Sequence, residues 1–266
     1  MVVAYNTTVL TGGNCLPPRN FTDDEEAEIA RLYLGGLSAR AIATGFGLRF
    51  HVSILAALRR QGVVRRSSTA HVRRHGLRED AFAIIADEPT AYWWGFIYAD
   101  GYVHRRSLIM DLQKQDRPHV EALRLFLRSE KALSKVGRLE ANSLRLASDL
   151  RRLGIVPYRP KIPDFARLLP RRLRNHFLRG LFDGDGSARA SKSLALCGSV
   201  ALMRWSRAVL AEEAGTNPRL AISQHRSGLA YLYFSGRLVA LRVADYLYSE
   251  ATIWMPRKRA RIDGWR

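Results

Sequence analysis

Apolar positions along this 266-residue chain recur at helical spacing in some segments and at strand spacing in others, and the changes of period mark its elements. Residues 1–20 are small, polar and punctuated by Pro and Gly, so a flexible or extended arm is expected there. Residues 21–64 read as a small all-α domain of short helices. Thr22-Asp23-Asp24-Glu25 fits a capping box, and the helix it opens runs through Ile29, Leu32 and Leu34 to Gly35-Gly36. Ser38 can cap a second helix around Ala41, Ile42 and Ala43, and Gly45 to Gly47 turns the chain into a third, over residues 49–61, with Val52, Leu55 and Leu58 facing inward. Such an order predicts a helix-turn-helix-like DNA-binding domain. Its third helix would bring Arg49, His51, Ser53 and Ile54 to base edges and Arg59 and Arg60 to phosphates; a helical bundle with no DNA role is the alternative. Residues 65–79 have little apolar pattern and carry Arg65, Arg66, Arg73 and Arg74, a basic linker suited to tracking a phosphate backbone.

Beyond residue 79 one order of elements occurs twice, in halves spanning 80–168 and 169–266. The first half starts a helix at Asp87 or Thr90 that ends at Asp100-Gly101. Strands follow over 102–105 and 107–113, the second setting Leu108, Met110 and Leu112 on one face and Ile109, Asp111 and Gln113 on the other. Then come a helix from Pro118, strands over 134–139 and 143–147, a helix over 149–153, and a connector marked by Pro157, Pro160 and Pro163 that holds Lys161. In the second half the expected elements are a helix over 171–185, strands over 187–191 and 193–197, a helix over 201–214, strands over 219–225 and 230–234, and a helix over 238–249. A basic tail, Pro256-Arg257-Lys258-Arg259, follows. The pattern αββαββα therefore predicts an α+β fold of two pseudo-symmetric halves, a pseudo-dimer within one chain.

The first helix of each half has an unusual composition. Tyr92-Trp93-Trp94-Gly95-Phe96-Ile97-Tyr98-Ala99-Asp100-Gly101 recurs 85 residues later as Phe177-Leu178-Arg179-Gly180-Leu181-Phe182-Asp183-Gly184-Asp185-Gly186. Gly95 and Ala99 lie four apart, as do Gly180 and Gly184, so each pair shares one helix face. Small residues at that spacing let two helices meet backbone to backbone. The closing Gly101 and Gly186 are expected as helix C-caps. Asp100 and Asp185 sit where the macrodipole disfavours an anion. Two carboxylates brought together there, with at least one pKa raised by the other's charge, call for a cation between them.

Composition narrows the partner. With 43 Lys and Arg against 24 Asp and Glu the formal net charge is +19, which points to a polyanion, most simply nucleic acid. Basic residues are spread along the chain, which disfavours a membrane surface, and no apolar stretch reaches the ~18 residues of a membrane span. Cys15 and Cys197 exclude a disulfide framework and an all-Cys metal site, and no His-Glu-x-x-His is present to suggest zinc. No basic segment followed by an apolar run opens the chain, so an intracellular, bacterial or phage-encoded protein is expected.

The paired motifs resemble those of LAGLIDADG homing endonucleases in their single-chain form, over roughly residues 80–263. The first motif departs at Tyr98, where the family usually has Asp. The resemblance implies a site-specific double-stranded DNA endonuclease acting as a monomer, with no protein partner. Mg²⁺, with Mn²⁺ as a substitute, would be held by Asp100 and Asp185 and by the backbone carbonyls of Ala99 and Gly184. It also implies a Lys near each scissile phosphate, which Lys161 and Lys258 fit by position, and a double-strand break with short 3′ overhangs. The two sheets would straddle the major groove. Polar strand positions supply candidates for that surface: Asp111, Gln113, Arg138, Ser143 and Arg145 in the first half, and Arg189, Lys192, Arg219, Ser223, His225, Tyr231 and Tyr233 in the second. Asp111 and Gln113 could also hold waters beside the metal. The main alternative is a non-catalytic regulator joining a helix-turn-helix to a LAGLIDADG-like domain that has lost its acids; here both acids remain. An RNA-splicing helper is a third reading.

Overall fold

The computed structural model describes residues 20–64, 75–156 and 164–266, and the chain divides into two compact units, residues 1–73 and 74–266. In the first unit α1 (Asp23–Leu34), α2 (Ala39–Gly45) and α3 (Val52–Arg60) enclose one core of Ile29, Tyr33, Ile42, Ala43, Ile54, Ala57 and Leu58. The expected capping box forms: Thr22 Oγ1 accepts from Glu25 N–H, and the Glu25 carboxylate accepts from Thr22 N–H at 2.8 Å. Ser38 caps α2 by accepting from Ala41 N–H. The inward face of α3 differs from expectation. Val52 is 62% exposed, whereas Ile54 is fully buried. The helix begins at Val52, and Ile54, Ala57 and Leu58 form an i, i+3, i+4 stripe, closer to the true helical period than the three-residue spacing of Val52, Leu55 and Leu58.

The second unit contains both halves. The first comprises α4 (Glu88–Asp100), β1 (Tyr102–His104), β2 (Ser107–Met110), α5 (Arg117–Phe126), β3 (Leu139–Asn142), α6 (Leu144–Arg152) and the short α7 (Phe165–Leu168). The second comprises α8 (Arg174–Asp185), β4 (Gly186–Arg189), β5 (Ser193–Ser199), α9 (Val200–Ala214), β6 (Arg219–Ile222), β7 (Leu229–Phe234), α10 (Arg237–Tyr248) and α11 (Pro256–Asp263). The α+β, two-half architecture is the one expected. Both sheets are antiparallel, ordered β1-β2-β3 and β4-β5-β7-β6. Alternation puts Val103, Leu108, Leu139 and Ala141 of the first sheet, and Leu194, Leu196, Leu232 and Phe234 of the second, into one continuous core under the helices. Each sheet keeps its other face open. Among the described residues no helix is long and apolar enough to cross a membrane.

Local chemistry overrides the expected pattern at several places in this unit. The strand expected over 143–147 is the start of α6: Ser143 is its N-cap and accepts from Leu146 N–H at 3.2 Å. The first sheet therefore has three strands among the described residues. The strand expected over 134–139 begins only at Leu139, because residues 134–138 close a turn in which Gly137 takes φ +87°. Strand β2 stops at Met110, short of Asp111 and Gln113. The basic tail is the first turn of α11, with Pro256 at its first helical position, where a missing N–H costs nothing.

Candidate active site and nucleic-acid face

The centre of the second unit is the contact between α4 and α8. A Cβ on Gly95 would lie 2.0 Å from Phe177 O, and a Cβ on Gly180 would lie 2.0 Å from Tyr92 O. The two clashes are reciprocal, since Tyr92 and Phe177 stand at equivalent motif positions, and both report backbones in direct contact. One turn further, a Cβ on Gly184 would lie 2.3 Å from Ala99 Cβ and 3.1 Å from Asp100 Oδ2. The Asp100 carboxylate thus sits against the backbone of the opposite motif, one residue before Asp185. Both acids are exposed at the adjoining C-terminal ends of the two helices.

The glycines that follow the acids are the C-caps expected, Gly101 N–H donating to Ile97 O and Gly186 N–H to Phe182 O, but neither is left-handed. Gly101 adopts φ −88°, ψ 160° and Gly186 φ −87°, ψ 161°, extended conformations open to any residue. Their reason is space. A Cβ would lie 2.7 Å from Ile97 Cγ2 at Gly101 and 2.2 Å from Phe182 Cδ2 at Gly186. The chain passes straight from each motif helix into the first strand of its sheet, over the side chain one turn back.

Lys258 enters this site from α11. It is only 5% exposed, and its Nζ donates to Phe182 O at 2.8 Å and Gly184 O at 2.9 Å, the carbonyls at the end of α8. A cation is favoured at that helix end. Burial nonetheless pushes the amine down to about 8, against the opposing pull of Asp183, Asp100 and Asp185. Both site acids also act on Cys197, whose thiol is pushed up first by burial, then by Asp185. Asp100, Asp185, Lys258 and Cys197 therefore form one electrostatic neighbourhood.

Beneath it lies a buried polar network that sequence reasoning did not assign. Asp183 is 1% exposed and accepts from Tyr92 OH at 2.8 Å, Tyr248 OH at 2.9 Å and Met255 N–H at 2.7 Å. Burial raises its pKa, and the three donors oppose the rise. Tyr92 OH also meets His119 Nε2 at 2.7 Å, and burial holds that imidazole down at about 4. Arg179, fully buried, pairs with Glu88 at 2.6 Å. Charged residues in two otherwise apolar motif helices were the available signal, since an unpaired buried charge is costly.

The donor set fits a hard divalent cation: two exposed carboxylates at two negative helix ends, with backbone oxygens beside them. Among the described residues no cluster of three His, Cys, Asp or Glu side chains could cage a metal, so water or substrate oxygens would complete the shell. The expected ligand Gly184 O accepts from Lys258, which leaves its second lone pair.

The residues expected to meet DNA are only partly brought together. Arg189, Arg219, Tyr231 and Tyr233 share the open face of the second sheet, with Tyr233 registered against Arg219. The Tyr231 and Tyr233 rings stack at 5.9 Å, and the Arg189 guanidinium lies over Tyr233 at 5.5 Å. Lys192 occupies the β4–β5 turn at φ +54°, while Ser223 and His225 belong to the β6–β7 turn, where Ser223 Oγ accepts from His225 N–H. In the first half Asp111 and Arg138 pair with each other at 2.8 Å beyond the strand ends. Gln113 is exposed and accepts from Gln115. Arg145 is exposed on the first turn of α6, not on a strand, and Ser143 is buried as its cap. The open face of that sheet instead presents Tyr102, His104, Glu140 and Asn142. In the first unit Arg49, His51 and Arg59 are exposed, and Ser53 accepts from Asn20. Arg60 is held by the buried Glu26 at 2.7 Å, so it serves the core, and Ile54 is buried in that core. Lys161 lies outside the described residues.

Comparisons with known proteins give a fold likeness and nothing closer. Neither the family models nor the curated proteins match this chain. Solved structures similar to it include the homing endonuclease I-DmoI in complex with DNA and Ca, at 18% identity over 69% of this chain and 97% of that one, with a TM-score of 0.48. A mutant of I-SmaMI is similar at 12% identity, over 68% of this chain and 89% of that one, with a TM-score of 0.43. Full-length DUF199/WhiA from Thermatoga maritima is similar at 19% identity, over 71% of this chain and 63% of that one, with a TM-score of 0.44.

Proposed function

We propose that this protein is a LAGLIDADG-type, site-specific endonuclease of double-stranded DNA, acting inside the cell as a monomer whose two halves stand in for two subunits. The observation that carries the reading is the close contact of α4 and α8, which sets Asp100 against the backbone beside Asp185. Asp100 and Asp185, with Ala99 O and Gly184 O, would hold Mg²⁺ or Mn²⁺. When bound, the ion supplies an acidified water and neutralises charge on the phosphodiester. The chain's own residues do the rest. The two carboxylates fix the cutting positions, one for each DNA strand. Lys258 presents a fixed positive charge beside the scissile phosphate, and Lys161 is the candidate for the same task in the first half. The Arg189, Arg219, Tyr231 and Tyr233 face and the Tyr102, His104 and Asn142 face would lie against the groove. The first unit would add contacts through Arg49, His51, Ser53 and Arg59, lengthening the site or raising affinity, with Lys192 and Arg145 on flanking phosphates.

The test is a selection. Duplexes captured from a random or genomic library in Ca²⁺ are released into Mg²⁺ and their ends sequenced. Paired nicks at one sequence, leaving short 3′ overhangs, support the endonuclease. Specific capture with DNA left whole in both Mg²⁺ and Mn²⁺ would replace it with a DNA-binding regulator.

A further inference from the structure

Behind the motif helices, buried polar side chains tie the later elements of the second half to α4 and α8. Trp94 and Arg179 hold equivalent motif positions, and each donates to the C-terminal end of a later helix of its half, α6 or α10: Trp94 Nε1 to Leu153 O at 2.9 Å, Arg179 Nη1 to Leu247 O at 3.0 Å. In the first half Tyr98 stands where the second has Asp183. In the second half the residues from 249 to 255, which connect α10 to α11, are gripped by three side chains of the motif helices. Glu88, in the first turn of α4, accepts from Thr252 N–H at 2.6 Å and from Thr252 Oγ1 at 2.8 Å. Arg179 joins that carboxylate and also donates to Ile253 O at 2.9 Å. Asp183 receives Met255 N–H and, through Tyr248, fixes the helix before the connection. Met255 is the residue from which α11 starts, three before Lys258.

We propose that Glu88, Arg179 and Asp183 are positioning residues for one of the two cutting sites, the one built from Asp185 and Lys258. The inference rests on the endonuclease reading above. The physical argument is one of reach. Lys258 Nζ meets its two carbonyls only if the start of α11 is fixed relative to the end of α8, and Arg179 and Asp183 belong to α8 itself. Glu88 brings α4 into the same clamp, so the lysine is registered against both motif helices. A catalytic group displaced by about 1 Å can lose ~100-fold in rate. Nothing in this clamp touches the open sheet faces, so DNA affinity and the cut centred on Asp100 are left alone.

Two measurements on the full-length protein test this. The first is strand-resolved, single-turnover cutting of an end-labelled duplex by Glu88→Gln, Thr252→Val and Thr252→Ser. In Glu88→Gln the strand lost on Asp185→Asn slows by about tenfold or more, while the other strand changes by less than about twofold, so nicked product accumulates. Thr252→Val shows a smaller loss on the same strand, and Thr252→Ser restores it. The second is the rate at which an amine-reactive acylating reagent labels Lys258 without DNA, which rises in Glu88→Gln. Equal slowing of both strands, or Lys258 as protected in Glu88→Gln as in the native protein, overturns the proposal. Should the native protein bind DNA and cut neither strand, the endonuclease reading falls, and the labelling rate alone still decides whether Glu88 holds Lys258 in place.

Discussion

Gly180→Ala probes the helix contact on which the site depends. Its Cβ would stand 2.0 Å from Tyr92 O, 2.8 Å from Phe96 N and 3.0 Å from Tyr92 C, all backbone atoms of α4. No side-chain rotation relieves such a clash, so the helices must separate by roughly 1 Å to restore van der Waals contact. Overpacking of a well-filled core costs up to about 3 kcal/mol, and Ala in place of Gly inside a helix returns about 1 kcal/mol. The net loss is about 2 kcal/mol. In a unit the size of residues 74–266 that lowers the melting temperature by about 4–8 °C. Function suffers more, because the same separation moves Asp100 from Asp185, and a displacement of that size costs ~100-fold in cutting rate. Gly45→Ala is the control, since its Cβ meets nothing within 4 Å. It should leave the melting temperature unchanged or slightly higher. A Gly180→Ala protein that melts like the native one and cuts at the native rate would refute the packing argument.

Other expectations follow from the same geometry. His119, held at about 4 by burial against its ordinary 6.5, takes up a proton in the unfolded chain before it does so in the folded one. Its contribution to stability is complete above pH 6.5 and is lost as pH falls toward 4, so His119→Gln should flatten that stretch of a urea-midpoint profile, and an unchanged slope would count against the assignment. Arg219→Ala should reduce the slope of log affinity against log salt by about one if it meets a phosphate, or cost about 1–3 kcal/mol with relaxed preference at one base pair if it meets a base edge. If neither change is seen, Arg219 does not meet the DNA. Arg60→Ala should destabilise the first unit, because it removes an ion pair from the fully buried Glu26 carboxylate, and a melting curve that does not move would show the pair to be dispensable.

What could be read from the residues divides by the range of the physics involved. The motif helices and their contact were legible because the pairs Gly95/Ala99 and Gly180/Gly184, each four residues apart, have little other purpose in a buried helix. The capping box at Thr22 and the cap at Ser38 were equally plain, being set by residues three apart. The strand expected over 143–147 failed because Ser143 reads as an alternating strand position until its hydroxyl is seen to cap a helix. Gly101 and Gly186 were legible as C-caps, but only the positions of Ile97 and Phe182 reveal that missing volume is why glycine stands there. The inward face of α3 turned on where the helix starts, which the 49–61 pattern left open by three residues. Least legible was the clamp of Glu88, Arg179 and Asp183. Its partners lie 65 to 165 residues apart in sequence, so no local pattern could join them.

Strand-resolved cutting of a selected duplex by the native protein, Asp100→Asn and Asp185→Asn tests the central claim most directly. Two carboxylates at adjoining helix ends, each serving one strand, predict that the two variants bind DNA nearly as well as the native protein and that each leaves a different strand uncut. Two variants that still cut both strands, or that lose binding along with cutting, would contradict the claim and leave Asp100 and Asp185 as structural residues.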